Sequence, residues 1–169
     1  MGECNRKGIW FVLNLFGKKN REVSLSVPLA GKVIELEQVP DEVFARKIMG
    51  DGIAVEPDGC EVVAPCAGEI ILVAETKHAV ALKTDGGLEI LIHIGLDTVE
   101  LAGEGFLAHV HSGDKVQQGA KLITFDQEFL VSRGKSLVTP LVITNMEKVK
   151  QMEKNFLPSG GEVLKIILK

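Results

Sequence analysis

His78 and His93 lie fifteen positions apart, on either side of Asp85-Gly86, and their spacing is where chemistry can first be read in this chain. Asp-Gly between two runs of alternating apolar residues is a strong hairpin signal. If Asp85 and Gly86 are the two turn residues, Thr84 faces Gly87, and opposed positions sum to 171, which sets His78 against His93. Their Cβ atoms would then be roughly 4.5–5.5 Å apart on one face of the sheet. A one-residue shift of register would send the two rings to opposite faces. Two opposed imidazoles can do what one cannot: a neutral ring nitrogen is a nucleophile, and the second ring can donate a hydrogen bond to whatever the first captures. The same pair could supply half of a tetrahedral metal site, or be a buried pair satisfied by backbone bonds. Spacing alone leaves all three readings open.

Alternation along the two strands says which residues share the histidine face. Thr76, His78, Val80 and Leu82 point one way on the first strand. In that register Glu89, Leu91, His93, Gly95 and Asp97 point the same way on the second. Val80 and Leu91 would form an apolar collar, Thr76 and Asp97 would be polar neighbours, and Gly95 would leave space beside the rings. An apolar surround lowers the pKa of an imidazole and keeps it neutral.

The elements that hold this hairpin are expected to be strands. From Glu22 onward, short apolar runs are punctuated by Gly and Pro, which predicts an all-β antiparallel sandwich or barrel. Strands are expected at Val62–Val63, Glu69–Ala74, His78–Lys83, Leu88–Ile94, Lys121–Phe125, Val138–Ile143 and Val163–Leu168. Pro28-Leu29-Ala30-Gly31 is echoed by Pro65-Cys66-Ala67-Gly68, a repeat that suggests two pseudo-symmetric halves. Few helices are expected. Asp41 caps one or two turns reaching Lys47, and Asp126 to Arg133 forms another, closed by Gly134. Thr144-Asn145-Met146-Glu147 reads as a capping box opening a helix to about Lys154.

Composition narrows the function. The 169 residues carry a net charge of −4, with seven Phe, one Trp and no Tyr. That argues against nucleic acid as a partner, which calls for a basic patch or a stacking platform. Cys4, Cys60 and Cys66 are too few for a disulfide framework and form no C-x-x-C pair, so a cytoplasmic location is expected. Residues 22–169 read as one domain, preceded by an arm of residues 1–21. In that arm Ile9–Phe16 is nearly all apolar and has basic flanks. Eight residues cannot span a bilayer as a helix, so any membrane contact would be peripheral, through Trp10, Phe11 and Phe16.

At the histidine pair the residues match a family. Thr76-Lys77-His78-Ala79, then His93-Ile94-Gly95-Leu96-Asp97-Thr98-Val99-Glu100-Leu101 and Gly103-Glu104-Gly105-Phe106, closely resemble the glucose-type enzyme IIA of the bacterial phosphoenolpyruvate-dependent sugar phosphotransferase system. Val39-Pro40-Asp41-Glu42-Val43-Phe44-Ala45, Gly50-Asp51-Gly52-Ile53-Ala54 and Thr139-Pro140-Leu141-Val142-Ile143-Thr144-Asn145-Met146 extend the likeness over roughly residues 22–169. The resemblance implies an antiparallel β-sandwich and a phosphotransferase component that works through a phosphohistidine. Phosphate would come from the carrier HPr and go to the cysteine of a sugar-specific enzyme IIB, in support of sugar uptake. His93 would be the phosphorylated residue and His78 the group that stabilises the phosphoryl oxygens. Thr76 would orient His78, Asp97 would lie beside the site, and Asp41, Val43, Phe44, Val80 and Leu91 would line the partner-docking surface. No cofactor is required; zinc held by His78, His93 and a carboxylate of a regulated partner is known in the family. The chain is expected to be complete and monomeric, finding its enzyme IIB/IIC acceptor in trans, with a regulatory role toward transporters or metabolic enzymes as an addition.

Other readings stand beside this one. Gly113-Asp114-Lys115-Val116-Gln117-Gln118-Gly119 resembles the turn of biotinyl and lipoyl carriers, but no Met-Lys-Met or Asp-Lys-Ala tip occurs. His109 and His111 lie two apart and could form a separate clamp, though surface positions near Gly113 fit them better.

Overall fold

A computed structural model describes residues 21–156 and 161–169, and the Gly and Pro punctuation divides them into short strands. β1 (Glu22–Ser26), β2 (Gly31–Glu35), β3 (Asp51–Pro57), β4 (Glu61–Val63), β5 (Gly68–Val73), β6 (Ala79–Lys83) and β7 (Glu89–His93) come first. Then follow β8 (Phe106–Ala108), β9 (Lys115–Val116), β10 (Lys121–Phe125), β11 (Thr139–Ile143), β12 (Val149–Lys154) and β13 (Glu162–Leu168). The α-helices among the described residues are α1 (Glu42–Ala45) and α2 (Gln127–Ser132). Strand pairing is antiparallel throughout. A seven-stranded sheet runs β2-β3-β11-β7-β6-β5-β9, accompanied by the three-stranded sheets β1-β13-β12 and β4-β10-β8. The all-β architecture is therefore as expected. The two Pro-x-Ala-Gly corners open β2 and β5, and each passes close to a neighbour: a Cβ at Gly68 would lie 2.7 Å from the Lys83 carbonyl oxygen.

Alternation gives the large sheet two apolar faces. Ile53, Val55, Val80, Leu82, Ile90, Ile92, Leu141 and Ile143 belong to the main core. Ala54, Ala79, Ala81, Leu91 and Val142, the residues between them, form a second cluster with Ile34, Leu36, Val39, Phe44 and Leu96. Three alanines make this second face a shallow floor, and the segment carrying Leu36, Val39 and Phe44 packs onto it. Asp41 starts α1 as the sequence predicts, its carboxylate accepting from the Val43 and Phe44 amides at 2.8 and 3.3 Å. Asp126 caps α2 in the same way, accepting from Phe129 N–H at 2.9 Å.

Two expectations need correction. The β6–β7 connection is a three-residue turn: Thr84 N–H donates to the Leu88 carbonyl at 3.0 Å, and Gly87 takes a left-handed φ of 81°. That geometry belongs to a three-residue hairpin with glycine at its last loop position. Opposed positions therefore sum to 172, pairing Ala79 with His93 and Lys83 with Glu89. Val80 and Leu82 consequently face the main core, on the side of the sheet away from His93. The helix expected from Thr144 to Lys154 is replaced by a single 3-10 turn, Met146–Lys148, and by β12. Asn145 is occupied elsewhere, accepting from Glu89 N–H at 2.9 Å and donating to the Gly87 carbonyl at 2.8 Å. Pairing with β13 then outweighs the local signal of the following residues.

The arm expected over residues 1–21, including Trp10, Phe11 and Phe16, lies outside the described residues but for Arg21. Among the described residues no helix is long and apolar enough to cross a membrane.

Candidate functional site

The histidines meet although the register that was expected to join them does not exist. His78 precedes β6, and residues 74–77 turn tightly before it: Lys77 N–H donates to the Ala74 carbonyl at 2.8 Å, and Lys77 adopts φ 56°. Left-handed backbone at a non-glycine residue is uncommon. Here it interrupts the strand alternation, so His78 does not follow Val80 into the main core. The two rings are 4.8 Å apart between centroids and inclined at 74°.

Each ring has one nitrogen committed. His93 Nδ1 lies 2.8 Å from the Gly95 carbonyl oxygen. A carbonyl only accepts, so Nδ1 carries the proton and Nε2 keeps its lone pair. His78 Nδ1 lies 2.5 Å from Thr76 Oγ1. With the threonine hydroxyl donating, His78 Nε2 holds a proton that it can offer to an anion. Phe44 packs against His93 at 5.3 Å between ring centroids. Burial pushes both imidazoles below their ordinary pKa; the neighbouring ring adds to this at His78, while the Gly95 carbonyl, Asp41 and Asp97 offset part of it at His93. Both rings are thus neutral at pH 7.

Gly95 is the hinge of the arrangement. Its φ of 70° is left-handed, and a Cβ there would lie 2.6 Å from the Ser136 carbonyl oxygen and 2.7 Å from Thr98 Cγ2. Thr98, fully buried, donates to the Ile94 carbonyl at 2.6 Å and fixes the turn beyond it. Asp97 follows with φ 56° and its side chain exposed.

The fold thus brings together Thr76, His78, His93, Gly95, Phe44 and Leu91, with Asp41 and Asp97 near enough to act on His93 through charge. Val43 lies exposed beside Phe44. Val80 is not part of the site: it is fully buried on the other face, and Ala79 takes the place opposite His93. Sequence reasoning missed the Gly95 carbonyl, because a backbone acceptor has no side-chain signature. It also passed over Ile48, Met49 and Val99, large apolar residues exposed near α1 and Asp97; an apolar pair such as Ile48-Met49 just before Gly50 was the available signal. Among the described residues no group of three His, Cys, Asp or Glu side chains is placed to hold a metal. The two Nε2 atoms, that of His78 only after giving up its proton, would need a further ligand from a partner. His109 and His111 are exposed and separate, bonded to Thr124 Oγ1 at 3.1 Å and facing Asp114 at 3.8 Å respectively.

Comparison with known proteins gives the family. Residues 23–149 match the family model described as phosphoenolpyruvate-dependent sugar phosphotransferase system, EIIA 1. A PTS system glucose-specific EIIA component of Halalkalibacterium halodurans is 52% identical over 134 residues, 79% of this chain and 78% of that protein. One of Bacillus cereus is 44% identical over 157 residues, 90% of this chain and 95% of that protein. The solved glucose permease IIA from Mycoplasma capricolum superposes with a TM-score of 0.78 at 34% identity, over 86% of this chain and 96% of that one. The chain belongs to the EIIA 1 family of the phosphoenolpyruvate-dependent sugar phosphotransferase system, and is a phosphotransferase component of sugar uptake.

Proposed function

We propose that residues 22–169 form one phosphoryl-carrier domain serving glucose uptake, loaded on His93 Nε2 by phospho-HPr and discharged to the cysteine of a glucose-type enzyme IIB. In loading, the Nε2 lone pair attacks the phosphorus; a new N–P bond forms as the donor's N–P bond breaks, and the donor nitrogen leaves with the electron pair. In discharge, the enzyme IIB thiolate attacks, an S–P bond forms, and His93 recovers its lone pair with the proton still on Nδ1. Such transfers rest on in-line positioning and charge stabilisation. Thr76 holds His78 so that its Nε2–H reaches a phosphoryl oxygen. The observation that carries this reading is the commitment of His93 Nδ1 to the Gly95 carbonyl beside a second, independently oriented imidazole.

The surface around the rings suits a transient partner. Val43, Phe44, Leu91, Ile48, Met49 and Val99 supply an apolar surround that a docking protein seals against water, protecting the phosphoramidate from hydrolysis. Asp41 and Asp97 on the rim favour a basic partner patch and fast association. We place this work in the cytoplasm and in a monomer, whose active face stays free. Zinc would bind the two Nε2 atoms only with a carboxylate from a regulated transporter or metabolic enzyme. No strengthening of such a complex by zinc would dispose of that additional role.

The test is phosphorylation by phosphoenolpyruvate, enzyme I and HPr, followed by intact mass and by acid and base lability. One acid-labile, base-stable phosphoryl is expected on the native chain, passed on when enzyme IIB is added. No labelling under conditions that charge HPr would overturn the reading.

A further inference from the structure

We infer that Thr139 is a positioning residue for His93, acting through the backbone of Gly95; this rests on the reading of His93 as the phosphoryl acceptor. The carbonyl that holds His93 Nδ1 belongs to the Gly95–Leu96 peptide, and the N–H of that same peptide donates to the Ser136 carbonyl at 3.0 Å. The preceding peptide is held as well. Gly95 N–H donates to Thr139 Oγ1 at 3.4 Å, and the Thr139 hydroxyl in turn donates to the Leu137 carbonyl at 2.9 Å. Gly95 is therefore gripped on both of its peptide groups by the segment 136–139. A residue with φ 70° and no Cβ needs that grip to keep one orientation.

Thr139 is one of few fully buried polar side chains among the described residues, at the start of a strand whose other members are apolar. A buried hydroxyl is costly unless it is hydrogen-bonded, and it has both a donor and an acceptor capacity to use. Here both are used, and the acceptor half serves Gly95. Bonds arranged in this way polarise one another in a low-dielectric interior. Taking the hydroxyl away leaves the buried Gly95 N–H unpaired and the Ile94–Gly95 peptide held only by Thr98 at the Ile94 carbonyl. The Gly95 backbone loses its fixed φ, and its carbonyl shifts relative to His93 Nδ1. The Gly95 carbonyl then no longer selects one His93 tautomer, and part of the population presents a protonated Nε2 that cannot attack phosphorus.

The experiment compares Thr139→Val and Thr139→Ser by 15N NMR of the histidine rings without phosphate, and by the initial rate of labelling from phospho-HPr. Valine is expected to give mixed His93 tautomers, a lower titration midpoint because the raising influence of the carbonyl is lost, and a rate reduced roughly tenfold to hundredfold. Serine should restore all three. A valine variant that keeps the single Nδ1–H tautomer overturns the inference, whether its rate is unchanged or reduced. Should valine prevent folding, Thr139→Ser against Thr139→Ala isolates the same hydroxyl. Native protein that shows the Nδ1–H tautomer but takes no phosphate refutes the functional reading and not the hydrogen-bond role, so the two failures are distinguishable.

Discussion

The chain holds two pairs of histidines, and the contrast between them shows how little spacing decides. His109 and His111 are two residues apart, His78 and His93 fifteen. The closer pair flanks buried Val110 on an otherwise exposed stretch, with ordinary surface partners in Thr124 and Asp114. The distant pair is half-buried, each ring has one nitrogen fixed by a partner two residues away, and the rings touch. Desolvation and a set tautomer turn an imidazole into a nucleophile. Only one pair has both.

The largest effect that would break this contrast comes from removing one ring of each pair. His93→Gln is expected to abolish phosphorylation, while His109→Gln and His111→Gln label at the native rate; intact mass after HPr treatment reads all three. His78→Gln comes next. It should still accept phosphate, but transfer to enzyme IIB should slow by about 10²–10³, the usual consequence of losing one donor to a developing anion. Stopped-flow discharge of the phosphorylated variant measures this.

The packing beneath the site gives the next effect. Phe44 is 5% exposed and bridges α1 to His93, so Phe44→Ala should lower stability by about 3 kcal/mol in chemical denaturation and slow labelling as well. Gly95→Ala should cost about 2 kcal/mol from its left-handed backbone alone, with the clash against Ser136 adding to that. The same denaturation series tests it.

Titration gives the smallest effect, and its sign follows from the depressed histidines. Unfolded imidazoles bind protons near pH 6.5, whereas folded His78 and His93 bind them only at lower pH. The unfolded state therefore holds more protons below about pH 6.5, and stability falls as pH drops through that window toward the folded values. The double variant His78→Gln, His93→Gln should flatten this slope in a denaturation series run from about pH 5 to 7.

Much of this site was legible before the fold was seen. Asp41 and Asp126 announced their helix starts because a carboxylate one residue before a short helix has a definite job. The two histidines stood out by flanking one turn, but the pairing read from that turn is not the one that joins them. The register was misjudged because Asp85-Gly86-Gly87 supports two turn lengths, and only the left-handed Gly87 separates them. Val80 was assigned to the wrong face for that reason alone. His78 still reaches His93 because Lys77 breaks the alternation, and nothing in a lysine side chain signals left-handed backbone. The contact made directly to His93 Nδ1 and the one behind it come from main-chain atoms of Gly95 and Ser136, which every residue carries alike, and the Thr139 hydroxyl acts only through that backbone. The second-face alanines at 54, 79 and 81 were equally silent as sequence, since their meaning is the room they leave for Phe44.

The central claim is that the Gly95 carbonyl commits His93 Nδ1 and leaves Nε2 to carry phosphate. It is tested most directly by 31P–15N coupling in protein phosphorylated from HPr with 15N-labelled histidine. Coupling to His93 Nε2, with the Nδ1 proton retained, is the predicted result. Phosphorus bonded to His93 Nδ1, or to either nitrogen of His78, would contradict the account.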